Sequence, residues 1–157
     1  MLRFWMKATV LVMMSVVGAC GGSAGGPEDD VSTIQQELNR PEFNGMRMNF
    51  PGSDGVYLIM GGQKRGIPTD TIYNRLFRNW NGIVGYWDIS QIDDGPSMDD
   101  NTYLMLSPAG ALFLYTNGRK HGIPSPSIRD RYNFDTRKAL VLPNAVLNTI
   151  PDGFMLF

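Results

Sequence analysis

Tyr57-Leu-Ile-Met-Gly-Gly-Gln-Lys-Arg-Gly-Ile-Pro68 and Phe113-Leu-Tyr-Thr-Asn-Gly-Arg-Lys-His-Gly-Ile-Pro124 are two versions of one stretch, 56 positions apart. Such spacing marks an internal repeat, in which each copy supplies part of a shared core. The second copy reads most directly. Leu112 to Thr116 has the β-branched, aromatic and aliphatic residues that strands favour. Asn117-Gly118 is a strong two-residue hairpin signal, because both positions of a type I′ turn need positive φ. Arg119 to Ile123 forms the return strand, and Pro124, which has no N–H to donate, ends the ladder. Ser125-Pro126 then opens a helix, with Ser as cap and Pro as first residue. Ile128 and Tyr132 lie one turn apart and face the core.

The first copy keeps this physics with different residues. Gly61-Gly62 makes the turn, Thr69 caps the helix, and Ile72 and Leu76 take the core positions. Further on, Asn79-Trp80 matches Asn133-Phe134, and Ile83-Val84 and Leu140-Val141 are short apolar strands. The closing segments, Ser90 to Gly95 and Pro143 to Gly153, align only with a shift from 56 to 58, so an insertion lies between. The fold class expected is α+β: two tandem β-hairpin-plus-short-helix repeats sharing one core, repeat 1 over 48–98 and repeat 2 over 99–157. A single unit of about 55 residues would be marginally stable, which favours packing two together.

The N-terminal part reads differently. Arg3 and Lys7 precede an apolar run from Ala8 to Val17, followed by Gly18 and Ala19. This is the layout of a secretory signal over 1–19, too short to span a bilayer, which takes about 20 apolar residues. Residues 20–30 are rich in Gly and Ser and read as a flexible tether. Residues 31–47 hold a short helix and linker: Ser32 and Gln35 have capping-box spacing, Val31, Ile34 and Leu38 share a face, and Pro41 ends it. Loss of Arg3 and Lys7 takes the 14 basic residues to 12 against 15 acidic, a net charge near −3. No basic surplus points to nucleic acid. One cysteine permits no intramolecular disulfide, so stability rests on apolar burial.

Two resemblances follow from these residues. Val17-Gly18-Ala19-Cys20 resembles the lipobox of bacterial lipoproteins. That resemblance implies cleavage before Cys20, a diacylglyceryl group on its thiol, usual acylation (palmitate) of its amine, and anchoring in a lipid bilayer. Gly21 lacks the Asp that retains such proteins in the inner membrane of enteric bacteria, which favours the outer membrane. Second, Val56-Tyr57-Leu58-Ile59, Gly62, Lys64-Arg65, Ile67-Pro68, Tyr73 and Trp80 resemble a Lys-Arg-x-Ile-Pro hairpin repeat found in secreted and surface bacterial proteins, over about residues 50 to 157. The chain departs from that pattern at His121, where Arg is usual, and at Arg129, where an aromatic is usual. The family implies no established catalytic activity.

The chemistry-bearing residues are few. His121 is the sole histidine; its counterpart is Arg65, which cannot act as a base, and with one cysteine and no second histidine no structural Cys/His zinc tetrahedron can be completed. Asp93, Asp94, Asp99, Asp100 and Asn101 offer oxygen ligands but not the twelve-residue calcium-loop spacing, and read as a solvated linker. No catalytic residue, metal site or cofactor is assigned. Lys64, Arg65, Lys120 and His121 beside the hairpin turns form a candidate contact face, against the reading that they only guard the hairpin edges. Trp80 and Trp87, with Tyr86, offer a stacking platform for sugars, against a core role expected above all for Trp80. The function expected is a membrane-anchored, non-enzymatic interaction or structural module whose partner is an envelope protein or a surface glycan. The alternative is an envelope hydrolase or enzyme inhibitor using a cleft near His121.

Overall fold

The computed structural model describes residues 38–157. The signal segment, Cys20, the tether and the helix expected around Ser32 to Gln35 lie outside the described residues. Pro41 is described, and it begins a 3-10 turn, Pro41–Phe43, as its fixed φ allows at a helix start.

Two four-stranded mixed sheets and a few short helices make an α+β fold. The first sheet contains β1 (Arg47–Asn49), β2 (Val56–Met60), β3 (Gln63–Ile67) and β4 (Ile83–Gly85), in the order β3-β2-β1-β4. The second contains β5 (Tyr103–Leu106), β6 (Leu112–Thr116), β7 (Arg119–Ile123) and β8 (Leu140–Val141), in the order β7-β6-β5-β8. Helices α1 (Asp70–Leu76) and α2 (Pro126–Arg131) follow the two hairpins, and α3 (Asn144–Leu147) lies near the C-terminus.

Local chemistry places these elements. Gly61 and Gly62 have φ of +65° and +77°, and Asn117 and Gly118 have +50° and +74°, so both hairpins turn through two left-handed residues. Thr69 and Ser125 side chains accept hydrogen bonds from the Ile72 and Ile128 amides, capping α1 and α2. The hairpin registers differ by 56: Val56 pairs with Ile67, and Leu112 with Ile123.

The sequence reading lacked one strand per sheet. β1 and β5 each lie between the hairpin and the parallel strand, β4 or β8, so the hairpin is the outer part of a larger sheet. β1 is only three residues long and begins with Arg47, which hid it. The match of Asn79-Trp80 to Asn133-Phe134 also fails. Phe134 instead stands opposite Phe77 in an antiparallel bridge, where Arg78 N donates to Asn133 O (3.1 Å) and Asp135 N donates to Leu76 O (2.9 Å). These two bonds interchange when 57 is added to residues of the first segment, so at this bridge the offset is 57.

One buried apolar cluster draws on both sheets, on α1 and on Tyr132 at the C-terminal end of α2. It includes Leu58, Met60, Tyr73, Leu76 and Phe77 with Leu104, Leu114, Ile123, Tyr132 and Phe134. A smaller cluster of Met48, Ile59, Ile89 and Ile92 lies against the first sheet.

The outer edges of β3 and β7 are covered by later chain. Lys64 N donates to Asp93 O, Gly95 N to Lys64 O and Met98 N to Gly66 O, each at 2.9 Å. On the second sheet Lys120 N donates to Pro151 O (3.0 Å), Gly153 N to Lys120 O (2.7 Å) and Leu156 N to Gly122 O (2.9 Å). The covering segments are 58 apart.

Candidate functional site

Edge coverage decides where the cationic residues go. The Lys64 ammonium donates to Ile92 O and lies 3.1 Å from Asp94 Oδ1; the Lys120 ammonium donates to Ile150 O (2.6 Å) and lies 2.8 Å from Asp152 Oδ1. Lys64, Arg65 and His121 are buried, and the Lys120 side chain is nearly so. A contact face of these four at the hairpin turns is therefore not available: the sequence shows an edge hairpin, but the chain returns over it and enlists the lysines to hold the covering strand. The cost of breaking this clasp is asymmetric. Lys64→Ala removes a buried donor and leaves Ile92 O unsatisfied, an expected loss of about 2 kcal/mol. Asp94 is 67% exposed, so Asp94→Ala should cost at most about 1 kcal/mol. Chemical denaturation of both variants checks the order.

Among the described residues, His121 is not part of the lining of the grooves beside α1 and α2. Its ring meets Phe154 edge-on at a centroid distance of 4.5 Å, and Nδ1 lies 3.1 Å from Phe154 O. Among the described residues no carboxylate or hydroxyl hydrogen-bonds this ring, and no group of three or more His, Cys, Asp or Glu is arranged to hold a metal. Of the acidic run, Asp94 serves Lys64 and Asp99 Oδ1 accepts from the Thr102 hydroxyl (2.9 Å).

Burial pushes the His121 imidazole below its ordinary value, the Phe154 carbonyl opposes this, and Arg65 and Arg119 reinforce it. The unfolded chain therefore takes up this proton at higher pH than the folded one. The resulting stability is fully present above the ordinary histidine pKa of about 6.5 and is lost as pH falls below it. Thermal melts between about pH 7 and pH 5 should show this loss, and His121→Gln should remove the pH-dependent component. Asp130 and Asp135, held near pKa 2 by hydrogen bonds from Arg129 and Arg137 first of all, act only at lower pH.

The accessible features lie elsewhere. A groove of about 330 Å³ runs between the β1–β2 loop, the end of β3 and α1, lined by Asp54, Gly55, Val56, Ile67, Pro68, Thr69, Asp70, Tyr73 and Trp80. A second groove, of about 460 Å³, occupies the matching place on the second sheet. Every residue lining the first groove has its counterpart 56 positions later lining the second. The apolar walls correspond as Val56 to Leu112, Ile67 to Ile123 and Pro68 to Pro124. The variable positions are Asp54 to Gly110, Asp70 to Pro126, Tyr73 to Arg129 and Trp80 to Thr136.

Trp80 is 42% exposed and does not belong to the core. One indole face stacks on buried Tyr73 at 3.8 Å between centroids, and Nε1 donates to Asn74 Oδ1 (2.9 Å). The loop that carries Trp80 is fastened by Arg47, whose guanidinium donates to Asn79 O (2.8 Å), Asn81 O (2.6 Å) and the Tyr73 hydroxyl. Sequence reasoning passed over Arg47 and Asn74; the constant 56-residue offset held the signal for the groove pair, but not that those positions enclose a space. Trp87 is 68% exposed and packs edge to face on Phe50, itself 43% exposed, at 5.3 Å. Both follow the C-terminal ends of parallel strands β4 and β1. Among the described residues no helix is long and apolar enough to cross a membrane.

Comparison with protein-family models, with curated proteins and with solved structures gives no match for this chain.

Proposed function

We propose that the chain is a lipid-anchored bacterial envelope protein, tethered through acylated Cys20, whose folded part is a tandem pair of units acting as a non-enzymatic interaction module. Three features support the tandem reading: the common strand order, the hairpin registers offset by 56, and edge clasps offset by 58. The lipobox-like Val17-Gly18-Ala19-Cys20 supports the anchor, and Gly21 after it favours an outer-membrane location. The observation that carries a binding role is the exposure of Trp80 in the groove beside α1 and of the Phe50–Trp87 pair after β1 and β4. Large exposed aromatic side chains mark recognition surfaces, since each leaves apolar area in water that a partner would cover. A surface protein or glycan of the envelope is the partner this surface suits, with Trp80 and Trp87 as the contact residues.

Affinity capture of the mature protein from its own envelope tests this reading. A partner should be retained by the wild type and lost by a Trp80→Ala/Trp87→Ala variant that melts within a few degrees of it. Retention by that variant would remove the aromatic surface from the account. A Cys20 peptide with no acyl mass would remove the anchor.

A further inference from the structure

We propose that the groove beside α1 binds an arginine side chain presented by a partner polypeptide. This rests on the reading of the chain as an interaction module. Two grooves lie at matching places on the two sheets. Their backbone and apolar walls correspond, so the shape is kept while the charge is not. The first groove carries two carboxylates, Asp54 and Asp70; the second replaces both with uncharged residues and introduces Arg129, itself paired with Asp130.

Neither Asp54 nor Asp70 has an ion-pair partner or a side-chain hydrogen bond among the described residues. The nearby cation, Arg47, stands 5.8 Å from the Tyr73 ring and is committed to the carbonyls of Asn79 and Asn81. The aromatic side of the groove is preorganised, because Trp80 is stacked on Tyr73 and tethered by Asn74. Carboxylates and a fixed indole lining one groove match a guanidinium, which is planar, stacks on aromatic faces and donates in pairs to carboxylate oxygens. A lysine ammonium would satisfy the charge but not the plane, and a neutral sugar would use the plane but not the charge. The chain itself places arginines over aromatic rings at Arg40–Phe43, Arg47–Phe77 and Arg65–Phe154. The proposed contact is the same pairing made with a partner's side chain.

The probe is a blocked Gly-Arg-Gly peptide, titrated into the full mature protein in mild detergent while the Trp80 indole N–H is followed by NMR. The citrulline peptide, which keeps the shape and loses the charge, is the matched control; a Gly-Lys-Gly peptide and a neutral oligosaccharide complete the set. The arginine peptide should shift Trp80, and the citrulline peptide should bind at least about tenfold more weakly. An Asp54→Asn/Asp70→Asn variant with an unchanged melting curve should weaken the arginine peptide by a similar factor. No Trp80 shift with arginine, an equal shift with citrulline, or a sugar response that survives in the Asn variant would each overturn the proposal. The two readings fail separately. Capture of a Trp80/Trp87-dependent envelope partner together with a silent arginine titration refutes the arginine assignment and leaves the module standing. Failure to capture any partner refutes the module itself.

Discussion

Phe134→Ala is expected to destabilise the protein by about 4 kcal/mol, a large share of the roughly 5–15 kcal/mol typical of a folded domain. Phe134 is fully buried and stacks on Phe77 at 5.7 Å and on Tyr132 at 5.4 Å. It also stands at the bridge where Leu76 and Asp135 exchange a backbone hydrogen bond, so the cavity left by truncation opens where the two halves meet. The surrounding strands and helices are tied to separate sheets and can close that space only by moving a whole sheet. Urea unfolding should show the midpoint falling by about 2 M for a slope of 2 kcal/mol/M. The transition should stay single, because the apolar cluster contains side chains from both sheets. Two separate transitions in the wild type would contradict a shared interior.

Arg47→Ala should cost about 3 kcal/mol and should also disturb Trp80. The guanidinium is buried in the first strand and satisfies two backbone carbonyls and a tyrosine hydroxyl. Removing it leaves Asn81 O without its donor, while Asn79 O keeps the Tyr73 hydroxyl (3.1 Å), and each buried polar group left without a partner costs about 1–3 kcal/mol, less where water can reach it. Because Asn79 and Asn81 flank Trp80, loss of these guanidinium bonds loosens the loop that carries the indole. Iodide quenching of Trp80 fluorescence in a Trp87→Phe background should therefore increase. Arg47→Lys should fail to restore the pose, since an ammonium cannot reproduce the planar fork that spans the two carbonyls. Full recovery with lysine would show that charge alone matters there.

How far the sequence was legible follows from the range of each interaction. The Asn117-Gly118 and Gly61-Gly62 turns, the Thr69 and Ser125 caps and the Pro68 and Pro124 strand ends run where the sequence places them, because each depends on dihedral preference or a bond within a few residues. β1 escaped notice because Arg47-Met48-Asn49 has no clear strand pattern and pairs with two distant segments. Trp80 was expected in the interior on composition alone. It stays outside because Tyr73 already fills the position beneath it and needs only one indole face.

From the chain alone came the period of 56, the α+β class, the hairpins with their turns and caps, and the candidate lipid-bearing Cys20 in a segment outside the described residues. The tertiary structure decided which charges are spent and which are free. Lys64 and Lys120 are drawn inward by carbonyls about 30 residues further on, whereas Asp54 and Asp70 are left lining a groove. The reason is physical: whether an edge strand meets water or more chain depends on where a remote segment returns, and no local pattern around a lysine or an aspartate encodes that.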